Sequence, residues 1–371
     1  MTREPAAERT PLEERLIALI RANGPITVAD YMADALGHPH EGYYMRAAPI
    51  GAAGDFTTAP EISQIFGELI GLWLVQSWLD IGQPATFNLV ELGPGRGVLM
   101  VDILRAASVR PAFLDAATLW LVETSGRLRH EQQQRLRSFR PRPLWADEFA
   151  DIPPDPTLIV ANELFDCLPV RQFERAGAGW RERLIGVAPD GEALAFVHAK
   201  TPPPPEIDLP SAEETPEGAI FEICEPGRAL AAEIAAFLVE NGGRALIIDY
   251  GHIASGLGDT LQAVRRHRYW PVLASPGLAD ITAHVDFEAL SRAALDAGAA
   301  VWGPVPQGTF LDRLGLALRV ERLCAGKTAE EALAIRQGAH RIAAPEQMGE
   351  VFKAMCIASP DLPPPAGFEA P

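Results

Sequence analysis

The chain has 371 residues, 48% of them hydrophobic, which is enough for a substantial core in one large or two modest domains. A formal net charge of −17 argues against a nucleic-acid partner, since phosphate binding needs clustered basic side chains, and no apolar run approaches the ~20 residues of a membrane span. The first residues lack the apolar segment of a secretory signal and the four cysteines form no C-x-x-C pair, so we expect a cytoplasmic protein with reduced thiols, no metal and no membrane insertion.

The N-terminal part of the sequence predicts helices and a loop. Residues 11–22 carry leucine and isoleucine at helical spacing, with Thr10 as N-cap. A loop dense in glycine and aromatic residues follows at 42–60, and residues 63–79 form a strongly amphipathic helix. We expect residues 1–82 to form an N-terminal helical and lid segment.

Strands and helices alternate from Phe87 onward, which predicts an α/β core: a mostly parallel Rossmann-like sheet with helices on both faces. We place this core at 83–359, with insertions near 184–217, where a hairpin is expected, and near 252–285. Residues 360–371 are expected to be a disordered tail. The candidate strands are Phe87–Glu91, Thr118–Glu123, Leu144–Trp145, Leu158–Ala161, Phe221–Ile223 and Ala245–Asp249.

Three glycines at alternate positions follow the first strand, in the run Glu91-Leu92-Gly93-Pro94-Gly95-Arg96-Gly97. Glycine allows a positive φ and a close approach of the backbone to a ligand. The third glycine comes one residue too early for the dinucleotide pattern G-x-G-x-x-G, and an acidic residue is poorly placed beside a pyrophosphate. The turn resembles that of class I S-adenosylmethionine (SAM) methyltransferases, although an ordinary glycine-rich turn is the alternative. We expect Glu91, Gly93, Gly95 and Gly97 to bind SAM.

Two further carboxylates follow the second and third strands. Glu123 could accept both ribose hydroxyls of a nucleoside, and the alternative is a solvated glutamate at a strand end. Asp147 could accept the adenine amino group, and the alternative is a helix N-cap.

A polar, glycine-rich segment at 51–63 precedes the first strand. It could fold over the carboxyl end of the sheet as a lid that excludes water from the site. We assign Asp55 and Thr57 of this segment to the cofactor site, while a helix-capping loop is the alternative.

The candidate strands Leu158–Ala161 and Ala245–Asp249 lead to the residues that we expect to meet the substrate. Asn162, Glu163 and Asp166 follow the first of these strands, and capping of the next helix is the alternative for Asn162 and Asp166. Asp249 ends the second strand and Tyr250 follows it. Because the carboxyl ends of parallel strands share one edge of a sheet, these polar groups should converge there.

Along most of its length the chain contains, in order, the motifs GYYMR (42–46), GDFTTAPEIS (54–63), FGELI (66–70), ELGPGRG (91–97), NELFDCLPV (162–170), DYG (249–251) and ADITAHVDF (279–287). This series resembles the MidA-like proteins, which include a mitochondrial protein arginine methyltransferase that assists assembly of respiratory complex I. The resemblance implies a class I SAM fold and symmetric dimethylation of an arginine in the complex I subunit homologous to the 49-kDa protein.

Arginine is a difficult nucleophile because its guanidinium stays protonated, so a site that methylates it must grip the cation with carboxylates. Glu163 and Asp166 are our first choice for that grip, with Asp249 and Tyr250 assisting orientation or proton removal; Asn162 is assigned to the cofactor site. We expect SAM as cofactor and a protein substrate, with a homodimer as a further prediction. A non-catalytic assembly chaperone and an NAD-dependent oxidoreductase remain as alternatives.

Overall fold

The computed structural model describes residues 8–46 and 58–368, and its contacts divide the chain into two interleaved units. The first unit comprises Met1–Phe56, Cys167–Gly227 and Ser255–His284, and the second Thr57–Asp166, Arg228–Ala254 and Val285–Pro371. Among the described residues, no helix combines the length and hydrophobicity that a membrane crossing needs.

Twelve α-helices and sixteen strands are formed by the described residues. The helices are α1 (Pro11–Asn23), α2 (Val28–Gly37), α3 (Ala59–Ile62), α4 (Gln64–Asp80), α5 (Val98–Ala107), α6 (Pro111–Ala116), α7 (Gly126–Leu136), α8 (Glu225–Asn241), α9 (Phe287–Asp296), α10 (Gln307–Arg313), α11 (Leu316–Cys324) and α12 (Ala329–Ala343). The strands are β1 (Ile26–Thr27), β2 (Phe87–Leu92), β3 (Ala117–Val122), β4 (Pro143–Ala146), β5 (Thr157–Asn162), β6 (Arg171–Ala176), β7 (Gly179–Val187), β8 (Leu194–His198), β9 (Ile220–Ile223), β10 (Gly243–His252), β11 (Gln262–Arg265), β12 (Arg268–Trp270), β13 (Asp280–Thr282), β14 (Val285–Asp286), β15 (Ala300–Pro306) and β16 (Phe352–Ala358).

The first unit is built on antiparallel pairing. Thr10 caps α1 by accepting the Glu13 backbone N–H, as the sequence predicts. One sheet has the order β1-β7-β6-β9, with β8 on β7, so the predicted hairpin at 184–199 is confirmed. The strand predicted at Phe221–Ile223 exists, but it is β9 of this sheet, antiparallel to β6, and placing it in the parallel core is wrong. A second sheet has the order β12-β11-β13.

The second unit contains the parallel sheet that the alternating pattern predicts. Its order is β15-β16-β10-β5-β2-β3-β4, in which the five strands from β10 to β4 run parallel and β16 is antiparallel to both neighbours. The chain builds outward from β2 through β3 to β4 and then returns to β5 on its other side. The carboxyl ends of β2 and β5 therefore flank a topological switch point, where doubly wound sheets bind their ligands.

Helix α4 belongs to the sheet-bearing unit, and this differs from the boundary that we predicted at residue 82. A Cβ added at Gly67 would lie 2.6 Å from the Asp102 Cβ of α5, and one added at Gly71 would lie 2.8 Å from the Ile103 carbonyl oxygen. The two glycines let α4 and α5 pack backbone to backbone. Twelve of the 17 residues of α4 are buried, including every residue from Ile65 to Gly71, so the helix is buried on more than one face and the expectation of a strongly amphipathic helix is wrong.

The segment after β16 is ordered by contacts with the core, so the prediction of a disordered tail is wrong as far as residue 368. The Trp73 indole N–H donates to the Ala366 carbonyl at 3.0 Å, and Arg244 donates to the carbonyl of Pro363. Phe368 is buried against Phe310, with ring centroids 5.1 Å apart. The proline-rich sequence of this segment does not predict these contacts. Most of them are made by backbone carbonyl groups, which every residue has, and the rest by one aromatic ring.

Replacing Phe368 with alanine should destabilise the protein by about 3–5 kcal/mol, because truncating a buried aromatic side chain loses apolar burial and leaves a cavity beside Phe310. Chemical denaturation followed by tryptophan fluorescence measures this change. Unchanged stability would show that the C-terminal segment does not belong to the core.

Candidate active site

The glycine-rich turn joins a buried strand to a helix in the second unit. All six residues of β2 are buried, and Gly93, Gly95 and Gly97 then take φ values of 62°, 49° and 77°. Gly97 is the N-cap of α5 in the left-handed region, where a side chain is disfavoured. A Cβ at Gly93 would lie 2.8 Å from Leu164 Cδ1. The sequence therefore needs glycine here to carry the backbone round the end of β2.

Glu91 brings a buried carboxylate to the end of β2. Its side chain is 3% exposed, and among the described residues its Oε2 atom has no hydrogen-bond partner. Burial raises the pKa of Glu91 to about 8. A buried carboxyl oxygen without a partner is costly unless a ligand completes it, and a ligand cation would favour the ionised form. The amino group of a SAM methionine moiety has the chemistry that fits.

Gln132 of α7 organises the turn, and our sequence reasoning missed it. It is fully buried, and its Nε2 donates to the Gly95 carbonyl at 2.7 Å and to Glu123 Oε2 at 3.3 Å. Its Oε1 accepts the Trp145 indole N–H at 2.8 Å. One amide thus ties the turn to the ends of β3 and β4. A polar residue between Leu128 and Leu136 in the buried stripe of α7 is the sequence signal that could have revealed it.

Glu123 lies beside this turn, directly after β3. Its Oε1 accepts the Ser125 backbone N–H at 2.8 Å. Burial raises its pKa, while hydrogen bonds from Ser125 and Gln132 act in the opposite direction. The carboxylate is therefore fixed at the strand end next to Gly93, where a nucleoside hydroxyl could reach it.

Asp147 lies two strands away from the glycine turn, after β4, and its side chain is 73% exposed. Its Oδ1 accepts from Arg129 at 2.6 Å, and the same guanidinium also donates to the carbonyls of Glu123 and Ala146. Asp147 caps no helix, since Glu148 forms the capping box of the following turn. Asp55 and Thr57 lie outside the described residues.

Asn162 and Glu163 stand at the end of β5, across the switch point from Glu91. Glu163 is in the left-handed region with φ 51°, a strained conformation for this residue type. Its Oε1 accepts from Ala59 N at 3.2 Å and from Asn162 Nδ2 at 3.1 Å. Burial, followed by the charge of Asp166, raises the pKa of Glu163 to about 8. The Asn162 Oδ1 atom is buried and, within the described part of the chain, unpartnered.

Asp249 of β10 anchors the turn that carries Asp166. Its Oδ2 accepts the backbone N–H groups of Phe165 at 2.9 Å and Asp166 at 3.1 Å, and its Oδ1 accepts that of Tyr250. Asp249 is fully buried, and burial together with the charges of Asp166 and Glu163 raises its pKa well above the usual value. The structure thus brings Glu163, Asp166 and Asp249 together. The Tyr250 ring packs edge-on against Phe352, with centroids 5.4 Å apart.

Replacing Glu91 with glutamine should stabilise the ligand-free protein and weaken SAM binding. The folded-state pKa of about 8 lies above the ordinary value of 4.5, so the folded protein retains a proton that the unfolded chain releases between these values. Stability therefore falls as the pH rises through this window, and glutamine removes the penalty. We expect a gain of roughly 1–3 kcal/mol at about pH 8, the usual cost of an unsatisfied buried group.

Thermal unfolding over a pH series and calorimetric titration with SAM measure the two effects of Glu91→Gln. The stability gain should vanish near pH 4.5, where both states of the wild type hold the proton. A loss of stability at every pH would contradict an unpartnered carboxylate at this position.

Comparisons with known proteins point to a methyltransferase. Residues 69–305 match the profile of a family described as "Putative S-adenosyl-L-methionine-dependent methyltransferase". The mitochondrial protein arginine methyltransferase NDUFAF7 of Mus musculus is 38% identical over 94% of this chain and 85% of its own length, and that of Homo sapiens is 36% identical over 92% and 82%.

A solved structure supports the assignment of both the fold and the cofactor. A protein of Burkholderia thailandensis, crystallised with S-adenosyl-homocysteine bound, is 27% identical with a TM-score of 0.82, covering 98% of this chain and 96% of that one. S-adenosyl-homocysteine is what remains of SAM after methyl transfer. The fold is thus the Rossmann-like class I fold, the cofactor is SAM, and the chain belongs to this family of S-adenosyl-L-methionine-dependent methyltransferases.

Proposed function

We propose that this enzyme methylates an arginine side chain of a protein substrate. The observation that carries the proposal is the carboxylate cluster of Glu163, Asp166 and Asp249 at the ends of β5 and β10, on the rim that also holds Glu91. The mouse and human relatives are named as protein arginine methyltransferases, and this supports the same choice. SAM supplies an electrophilic methyl group at this rim.

We assign to Glu163 the binding of the guanidinium group of the substrate arginine. Both hydrogen bonds that it accepts go to Oε1, and among the described residues Oε2 receives none. Its raised pKa means that a neighbouring cation would restore the charged form, so recognition of a guanidinium and ionisation of Glu163 support each other. Carboxylates orient a guanidinium through paired hydrogen bonds, which aim one nitrogen at the methyl group.

Asp249 acts as a positioning residue in this scheme. Its oxygens are engaged by three backbone N–H groups, and it thereby fixes the turn from which Asp166 projects. Asp166 assists Glu163 in holding the cation, and Tyr250 contributes to orientation beside it.

The remaining cofactor contacts are proposals of the same kind. We assign Glu123 to the ribose hydroxyls, Asp147 to the adenine amino group, and Asn162 with Asp55 and Thr57 to the methionine side of the site. Among those of these residues that the structure describes, Asp147 is the most exposed, and it pairs with Arg129.

For the physiological substrate we propose the 49-kDa-type subunit of respiratory complex I, with the cytoplasm as the location and a homodimer as a further prediction. No disulfide links any of the four cysteines, all of which lie in the described part of the chain, and this fits a reducing compartment. Mass spectrometry of arginine methylation in wild-type cells, a deletion strain and a strain carrying Glu163→Gln tests the proposal.

The methylated arginine should be present only in the wild type. Loss of methylation in the deletion strain together with retention in the Glu163→Gln strain would remove Glu163 from the reaction. Identical arginine methylation in all three strains would overturn arginine as the target, and normal complex I assembly in the Glu163→Gln strain would separate any assembly role from catalysis.

A further inference from the structure

A basic hairpin projects from the three-stranded sheet of the first unit. Strands β11 and β12 pair antiparallel, with Arg265 opposite Arg268, so that Arg266 and His267 form a two-residue loop. Both loop residues have positive φ, 53° and 60°, as the central positions of a type I′ turn require. Asparagine and glycine are the ordinary occupants of such positions, yet this chain places two basic residues there.

The residues of this loop and the strand that follows are exposed. Arg266, His267, Arg268 and Tyr269, which we call the basic hairpin tip, are all exposed, and Tyr269 is exposed to 82%. Arg265 is not part of the tip, because its side chain is only 14% exposed, where it lies against Glu8 and Trp270. The tip is thus an arginine-rich surface with a large aromatic ring, on a chain whose net charge is −17.

Strand β12 also offers backbone groups. It pairs with β11 on one side, and among the described strands none pairs with its other edge. An edge strand can accept an extended peptide as an additional strand, with backbone hydrogen bonds giving affinity and side chains giving selectivity.

We propose that the basic hairpin tip and the free edge of β12 dock an extended acidic segment of a partner protein. Carboxylates of the segment pair with Arg266 and Arg268, and its backbone pairs with β12 beside Tyr269. This surface lies in a different unit from the SAM site, and the proposal does not depend on which residue the enzyme methylates.

An acidic peptide fits this surface better than an anionic membrane does. A membrane would bring a wide negative plane toward a chain that is itself strongly negative, whereas a peptide segment contacts the tip alone. At physiological ionic strength charges are screened beyond about 8 Å, so a short segment at the tip escapes most of the repulsion from the rest of the chain.

The test uses a fluorescent peptide of alternating glutamate and threonine, titrated with the full-length protein and followed by anisotropy. The variant Arg266→Glu/Arg268→Glu should weaken binding by about tenfold or more, and added salt should weaken binding to the wild type. The matched control is Arg137→Glu/Arg142→Glu, which reverses two other exposed arginines and changes the net charge equally. A peptide of alternating lysine and threonine should not bind.

Retained affinity in the control and lost affinity in the hairpin variant would support the proposal. Equal weakening in both variants would overturn it, since binding would then follow net charge alone. Binding of the wild type to phosphatidylglycerol vesicles but not to the acidic peptide would also overturn it, in favour of a membrane. So would self-association of the hairpin variant without a change in peptide affinity, because the arginines would then only protect the edge strand. SAM titration of each variant checks that the methyltransferase fold is intact.

Discussion

Replacing Glu163 with glutamine should lower the methyl-transfer rate by about 10²–10⁴-fold while leaving SAM affinity nearly unchanged. Glutamine keeps the size of the side chain and can still accept from Ala59 and Asn162 through its carbonyl oxygen. It cannot become negative, so the guanidinium loses the charge that orients it. Radiolabelled methyl transfer to the protein substrate measures the rate, and calorimetry measures SAM binding.

The control for this variant is Glu192→Gln, a glutamate whose side chain is 77% exposed in the first unit. It makes the same change of side chain at an exposed position and should leave both measurements unchanged. Wild-type turnover in Glu163→Gln would refute the proposed grip, and a parallel loss of SAM affinity would assign Glu163 to the cofactor instead.

Replacing Gly97 with alanine should weaken SAM binding by about tenfold or more. A side chain in the left-handed region costs about 1–2 kcal/mol, and the new Cβ would lie 3.3 Å from Gln132 Cγ. Gln132 must then shift, and it holds both the Gly95 carbonyl and Glu123. The cost therefore falls on the cofactor cradle as well as on the helix start. Calorimetric titration with SAM measures the effect.

Gly315→Ala is a closely matched control, because Gly315 also caps a helix from the left-handed region, with φ 92° at the start of α11. Nothing lies within 4 Å of the Cβ that it would gain. Both variants should lose stability, Gly97→Ala the more because Gln132 must also shift, but only Gly97→Ala should lose SAM affinity. Equal SAM affinities would show that the turn at 93–97 does not form the cofactor site.

The core of the sheet could be predicted from sequence because buried parallel strands appear as short apolar runs. Such a run makes up most of β2, β5 and β10. An acidic residue lies in or next to the last part of each strand: Glu91 in β2, Glu163 directly after β5 and Asp249 in β10. Local pattern therefore located these strand ends, and the shared edge of a parallel sheet implied that they converge.

The strand positions that the sequence did not predict depend mostly on pairing between strands that are distant in sequence. β16 is an apolar segment near the end of the chain, and only its pairing with β10 and β15 places it inside the sheet. β9 resembles a core strand by composition, but its partner is β6 of the first unit. No local pattern encodes such partners.

The contacts of the site residues depend on the direction of their side chains, which the sequence does not give. The sequence brings Asp249 to the rim of the site, but only the backbone N–H groups of the 165–166 turn show that its carboxylate is occupied from within the protein. Gln132 is the converse case, since a single buried amide joins three segments that are distant in sequence.

A crystal structure of the enzyme with S-adenosyl-homocysteine tests the account most directly. We predict that the amino acid part of the ligand lies against the turn at 93–97, with its ammonium group within about 3 Å of Glu91 Oε2. A ligand bound elsewhere, with Glu91 Oε2 contacted only by protein or water, would contradict the central claim.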